Sequence, residues 1–230
     1  MLLRESAQTL AFTLDCTRPV TEQLFLLAAA FAIGFAAGRY RFYRVYSLQN
    51  RGEAVLAARL MENFKAPSYH LMNSVTLRRN DGTTQIDHIL ISRYGVYVIE
   101  TKNYKGWIFA NPRHSMWTQV IFKRKFRLWN PIHQNFGHVR VVQSVLDFLP
   151  PETISSAVVF TGEAEFKTEL PVGVYSIDRF IEHIRRQATE VMSENRMQFC
   201  IGRLEAKRLA LTQQTDVEHR QYVQRKHGEA

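Results

Sequence analysis

Asp87, Glu100 and Lys102 stand in the spacing D-x12-E-x-K, within two apolar runs, IDHILI and VYVIE, that are broken by Ser92-Arg93-Tyr94-Gly95. Short apolar runs separated by turn formers predict two antiparallel strands. If residues 92–95 form the loop, Ile91 faces Val96 and Asp87 faces Glu100, and period-two alternation puts Lys102 on the face of Glu100. Facing carboxylates with Cβ atoms about 5 Å apart repel one another. A cation resolves that conflict, and two hard oxygen ligands on rigid strands are how Mg2+ is commonly held. A neighbouring lysine can then orient or activate a water. On this view, removing any one of the three leaves the fold intact, since removing a carboxylate ligand relieves like-charge repulsion. The plainer alternative is a structural ion pair between Lys102 and either carboxylate, with no turnover.

The elements needed to position such a site can be read on both sides of the hairpin. Val55, Leu56, Leu60 and Phe64 recur at helical spacing over residues 52–64, and Pro67 ends that helix. Strands are expected over 69–77, 85–91 and 96–102, with Asn80-Asp81-Gly82 turning the first into the second. Shorter strands follow over 108–111, 117–122 and 126–129. Pro131 then opens a helix to about residue 148, before Pro150-Pro151. Residues 154–160 (ISSAVVF) read as a buried strand, followed by a short strand near 173–175, helices over 178–187 and 197–211, and a polar tail. The fold class is α/β in the α+β sense.

Longer words accompany the motif: Gly52-Glu53, Gln85-Ile86-Asp87-His88-Ile89, the run GVYVIETKNYKG from Gly95 to Gly106, and Asn130-Pro131-x-x-Gln134. Together they closely resemble the nuclease-related (NERD) domain of the PD-(D/E)XK nuclease superfamily, over roughly residues 50–162. The resemblance implies a restriction-endonuclease-like core of helix, three-stranded meander, helix and strand. It implies that Asp87 and Glu100 bind Mg2+ or Mn2+ and that Lys102 serves the nucleophilic water. Glu53 would be an auxiliary ligand or water-positioning group, and Gln134 would face the site from the second helix. Ile86 stands where the superfamily's name has proline, which this family also commonly lacks.

Charge points the same way. Residues 39–149 hold 17 basic against 6 acidic side chains, while the flanking segments are each close to neutral, so the whole net charge of +9 lies in the middle of the chain. Such a block suits a polyanion, either nucleic acid or anionic lipid. Lys105, Lys123, Arg124, Lys125 and Arg127 are the candidate nucleic-acid contacts, with Phe122, Phe126, Trp117 and Trp129 interleaved to stack a base. A solvated turn or a lipid-facing patch is the alternative, and Trp107 and Trp117 read more readily as core. His88 should point away from Asp87 as a core histidine. His133 and His138 miss the i, i+4 spacing of two zinc ligands on one helix face.

Residues 24–37 (LFLLAAAFAIGFAA) carry no polar side chain, and Arg39, Arg41 and Arg44 follow among Tyr40, Phe42, Tyr43 and Tyr46. Extended to residues 20–38, the stretch is about 28 Å of helix against a hydrocarbon core of ~30 Å. A cleaved signal peptide or a buried helix remain the competing readings, but basic residues with interfacial aromatics mark a cytoplasmic membrane boundary. The expected organisation is an extracytoplasmic segment at 1–19, a transmembrane helix at 20–38, a basic juxtamembrane segment at 39–49, a nuclease-like domain at 50–165 and a mostly helical extension at 166–230. Cys16 and Cys200 would then lie on opposite sides of the inner membrane and could not pair. The expected function is a membrane-anchored, metal-dependent nuclease with its C-terminal domain cytoplasmic, acting on DNA in preference to RNA. The alternatives are a catalytically silent, membrane-tethered DNA-binding or protein-interaction module, and a membrane scaffold with no nucleic-acid role.

Overall fold

The computed structural model describes residues 20–210, with side chains in the first helix described at residues 24, 27–35 and from 51 onward. Helix α1, Val20–Asn63, is continuous. It merges into one element the apolar stretch, the basic stretch and the short amphipathic helix read separately from the sequence. The chain divides into two compact units, residues 1–47 and 48–230. In the first, Leu24, Leu27, Phe31, Ile33 and Phe35 are exposed. Among the described residues no helix is long and apolar enough to cross a membrane. Cys16, the side chains of the basic residues at 39–49 and the tail at 211–230 lie outside the described residues.

In the second unit a five-stranded sheet of order β1-β2-β3-β7-β9 forms the centre. Strands β1 (Tyr69–Arg79), β2 (Gly82–Ser92) and β3 (Gly95–Lys102) make the expected antiparallel meander. Strand β7 (Ile154–Phe160) lies parallel to β3, and β9 (Val174–Ser176) lies parallel to β7. Parallel pairing requires a crossover, supplied in part by α2 (Pro131–Val145). Every residue of β3 is buried, because helices cover both faces of the sheet. Ile89, Ile91, Val96 and Val98 pack with Val139 and Val142 of α2 and with Met197 and Leu204 of α4 (Glu194–Lys207). Leu90, Tyr97 and Ile99 pack with Leu56 and Leu60 of α1 and with Phe180, Ile181 and Ile184 of α3 (Ile177–Arg185). Each fully buried aliphatic side chain contributes roughly 1.5–3 kcal/mol.

The alternation breaks at one place. Ile86 shares the core of Ile89 although it lies three residues away, and Met72 shares it with Val75 in the same manner. Ser74, between them, has a φ of 51°. Asn73 pairs with His88 and Val75 with Ile86, but the intervening pair, Ser74 with Asp87, is missing from the ladder. On the other edge of β2, pairing with β3 runs from Ser92 and Gly95 to His88 and Ile99 and stops there. Asp87 therefore sits at a kink where β2 is released from both neighbours.

A second sheet, of order β6-β5-β4-β8, is built from β4 (Gly106–Phe109), β5 (Met116–Ile121), β6 (Arg124–Trp129) and β8 (Ala164–Phe166). The first three are the short strands expected from sequence, shifted by one or two residues, and β8 was not foreseen. Ile108, Trp117 and Phe166 join this sheet to Val158 and Phe160 of β7. The turn from β3 into β4 is tight: Gly106 has a φ of 79°, and a Cβ there would lie 2.4 Å from the Val120 carbonyl oxygen. Gly106→Ala is expected to cost about 1–3 kcal/mol in backbone strain alone, with the clash in addition. A urea denaturation midpoint equal to wild type would contradict this account of the turn.

Candidate active site

The site forms where β2 and β3 part. Asp87 Oδ2 accepts the Thr101 N–H at 2.7 Å, taking the place of a backbone acceptor on β2. The expected register is correct as far as His88 and Ile99, but Asp87 and Glu100 do not complete a further rung of the ladder. Glu100 and Lys102 are buried at the end of β3, with Lys102 Nζ 2.6 Å from Glu100 Oε1. Lys102 also donates to Gln134 Oε1 at 3.1 Å. The ion pair offered by the plainer reading is thus present, and its lysine is shared with the second helix.

Two glycine and asparagine contacts explain the words around the motif. A Cβ on Gly52 would lie 2.5 Å from Thr161 Oγ1 and 2.7 Å from Asn103 Cβ, so only glycine lets α1 come this close. That approach brings Glu53 into electrostatic range of Asp87, Glu100 and Lys102. At the other helix, Asn130 caps α2 by accepting the Ile132 N–H at 3.0 Å. Its amide donates to the carbonyls of Pro112 and His114 at 3.1 and 2.8 Å. Pro131 supplies the first helical residue, and Gln134 then points at Lys102.

The electrostatics separate the three carboxylates. Burial, and then the negative charges of Glu100 and Glu53, raise Asp87 well above the ordinary carboxylate range, against the opposing Thr101 N–H. Glu53 is raised by burial and by Glu100. Burial pushes Glu100 up as well, but Lys102 and His138 outweigh it and hold the carboxyl down at about 2. Lys102 would be lowered by burial, yet the Glu100 carboxylate overrides this and raises it.

Sequence reasoning missed His138 and Asn135. His138 is buried, its Nδ1 2.7 Å from Thr84 Oγ1 and its Nε2 3.2 Å from Glu100 Oε2, although the second contact is poorly aligned for a hydrogen bond. The signal was available: Gln134 and His138 are i, i+4, so a helix that turns Gln134 to the site turns His138 there as well. Asn135 donates to the carbonyls of Val98 and Ala157 at 2.9 and 3.1 Å and anchors α2 across β3 and β7. His133 is exposed and bonds the Pro112 carbonyl, away from His138. His88 is a core histidine, bonded through Nδ1 to Asn73 at 2.7 Å and lowered by burial to about 4.

Among the described residues, no group of three or more His, Cys, Asp or Glu side chains is arranged to enclose a metal ion. The donors that do converge are hard carboxylate oxygens, two of them held above their ordinary pKa by burial and mutual repulsion. Glu100 Oε2 is buried without a well-formed hydrogen bond. That chemistry fits a divalent cation held from one side by one or two carboxylates and completed by water or phosphate. Lys105, Lys123, Arg124, Lys125 and Arg127 are all exposed, and the last four lie on or beside the β5–β6 hairpin. Trp117 is buried, as expected, whereas Trp107, expected in the core, is 48% exposed.

Residues 48–161 match the family model of the nuclease-related domain. Over 93 residues the chain is 41% identical to an uncharacterized protein of Bacillus anthracis, a match covering 40% of this chain and 44% of that protein. The chain thus spans less than half the length of this relative. No solved structure matches it.

Opposite stability effects follow from the two central carboxylates, in line with the expected relief of repulsion for Asp87 but not for Glu100. Asp87→Asn keeps an oxygen for the Thr101 N–H and removes the buried charge, so it should stabilise the metal-free protein at neutral pH. Glu100→Gln leaves Lys102 buried without its counter-ion and should cost about 3–5 kcal/mol. Because Glu100 is depressed from 4.5 to about 2, its contribution is fully present above about pH 4.5 and is lost as pH falls toward 2. Asp87 has the opposite sign: its raised pKa favours the acid form, so its contribution declines as pH rises past its ordinary 3.8. Urea titrations of both variants in EDTA, at neutral pH and down through the acid limb, check this. Equal midpoints for the two would reject it.

Proposed function

Since residues 48–161 belong to the nuclease-related domain family, we propose that this chain is a membrane-anchored, Mg2+- or Mn2+-dependent nuclease that hydrolyses phosphodiester bonds, of DNA before RNA. The observation that carries the reading is the meeting of Asp87, Glu100, Lys102 and Gln134 at the parted end of β2 and β3. Asp87 and Glu100 would hold the cation, with Glu53 close enough to assist. A bound divalent ion supplies Lewis-acid stabilisation of phosphoryl charge and lowers the pKa of water. Lys102, fixed by Glu100 and Gln134, presents an ammonium donor that can align a water or stabilise charge on the phosphate. Gln134, itself exposed, can hand its carbonyl from Lys102 to the attacking water.

The exposed apolar side chains of Leu24, Leu27, Phe31, Ile33 and Phe35 on one helix, with arginines following at 39, 41 and 44, support a single inner-membrane span. In this reading the nuclease-like domain lies in the cytoplasm. A second reading has its own observation in favour. Glu100 is already paired with Lys102 and lies beside His138, as in a closed structural network, which suits a silent nuclease-like module that binds nucleic acid or protein.

Cleavage assays with purified protein on plasmid, single-stranded DNA and RNA, with Mg2+ or EDTA, separate the two. Asp87→Asn and Lys102→Ala are each expected to lose on the order of 10³-fold in rate, several kcal/mol of transition-state stabilisation. Asp87→Asn is the more telling, since it should lose activity while gaining stability. Metal-independent cleavage, or wild-type rates in both variants, would sink the assignment. For the anchor, the full chain should resist alkaline extraction from membranes, and protease added to sealed spheroplasts should spare residues 48–230. Digestion from outside would reverse the topology.

A further inference from the structure

The second sheet has two faces of opposite character. Ile108 and Trp117 turn inward and are buried with Phe160 and Phe166. On the other face the register lines up two rows: Trp107 with Val120 and Lys125, and Phe109 with Thr118 and Arg127. Trp107, Phe109 and Trp129 are 48%, 40% and 56% exposed, although aromatic side chains of this size are among those that gain most from burial. Lys167 lies over the Trp107 ring at 4.7 Å, where it is paired with Glu165, the β8 residue in register with Trp107. Rigid strands thus hold flat rings beside positive charges in open solvent.

We propose that this face is a stacking platform for a single, unpaired nucleic-acid strand. Trp107 and Phe109 take successive bases, and Lys125 and Arg127 take the adjoining phosphates. The spacing distinguishes among nucleic acids. Trp107 and Phe109 are two residues apart on one strand, so their rings are set roughly 6–7 Å apart, about twice the 3.4 Å rise of stacked duplex bases. Consecutive bases can rest on both rings only if the strand is extended and its bases are unstacked from each other. In a duplex those base faces are not available at all. The ammonium of Lys167, held by Glu165, makes only a weak surface contact with the Trp107 ring, which a base can replace.

The platform is also tied to the candidate site by the chain itself. Only Asn103, Tyr104 and Lys105 separate Lys102 from β4, so the two lie within about 14 Å along the backbone. That connection is held by the Gly106 N–H on the Glu163 carbonyl and by Gln119 on the Lys105 carbonyl. A strand stacked on Trp107 can therefore reach Lys102 within a few nucleotides. The inference rests on the nucleic-acid side of the function proposed above and adds to it the form of the substrate.

The test uses the full chain in detergent micelles with EDTA, so that binding is read without cleavage. The probes are a labelled oligothymidylate, a duplex of equal length, and micelles doped with phosphatidylglycerol. Trp107→Ala should weaken oligothymidylate binding by about tenfold or more, as loss of one stacked base does, and should leave duplex binding unchanged. Trp107→Phe should restore most of the loss. Lys125→Gln and Arg127→Gln should each lower the slope of log K against log salt by about 0.7. Oligothymidylate should quench tryptophan fluorescence in the wild type, and less so in Trp107→Ala. Wild-type binding by a Trp107→Ala, Phe109→Ala double variant with a normal melting temperature would overturn the proposal. A fluorescence response to phosphatidylglycerol but not to oligothymidylate would overturn it too, assigning the face to lipid. Cleavage is measured separately with Mg2+, so loss of the catalytic reading with intact oligothymidylate binding would leave the platform standing.

Discussion

One hydrogen bond organises the candidate site: the Thr101 N–H donated to the Asp87 carboxylate. A backbone donor at the end of a buried strand must find an acceptor. Here a side chain supplies it, so β2 can leave β3 beyond His88 without leaving Thr101 unpaired. The positive φ of Ser74 lets β1 follow the same kink on the other side. Strain of this kind persists only where the surrounding structure enforces it, and here the flanking pairs on both sides of Ser74 are intact. The result is a carboxylate wedged between strands, at the point where β2 parts from β3.

The buried Glu100–Lys102 pair is the second constraint, and its energetics are two-sided. Taking both charges from water is costly, and their attraction offsets this only when further hydrogen bonds satisfy them. Gln134 provides one for Lys102, and Thr84 holds His138 beside Glu100. The second helix is therefore part of the charge balance, not merely a cover for the sheet. Its placement depends on Asn130, which ties the start of the helix to the carbonyls of the 111–115 loop, and on Asn135, which ties it to β3 and β7.

Much of this was legible in sequence because it rests on local pattern. The Asp87 hairpin obeys the register set by its turn, and the apolar runs announced β2, β3 and β7 within a residue or two at most ends. Pro131 marked the start of the second helix, and the Asn-Pro-x-x-Gln word, through the family resemblance, turned Gln134 toward the site. What escaped depends on neighbours distant along the chain. Nothing local in Ser74 signals a left-handed backbone, and nothing in Trp107 tells whether β4 will be covered. The basic hairpin was recognised from its composition, and of the aromatics interleaved with it Phe122 and Trp129 are exposed while Trp117 faces the core; that Trp107 and Phe109 share the solvent face with Lys125 and Arg127 was not legible. Only the register across three strands distinguishes these, and that register is tertiary information. His138 is different, since helical periodicity from Gln134 would have found it.

The two sheets divide the labour in a way that follows from their burial. A strand buried on both faces, like β3, can hold charged groups only as paired or metal-bound ions, which makes it a rigid place for chemistry and a poor one for a long ligand. The second sheet buries one face and leaves the other to solvent, so it can offer rings and cations along an extended strand without the desolvation cost that Glu100 and Lys102 bear. Glycine is required at the junction: Gly106 must turn within contact distance of Val120, and a Cβ on Gly162 would lie 2.2 Å from the Tyr104 carbonyl oxygen. The connection from Lys102 to Trp107 is thereby locked between β5 and the residues that follow β7. A linker free to move would decouple the open face from the region of Asp87, whereas this one keeps that face at a set offset from the buried charges.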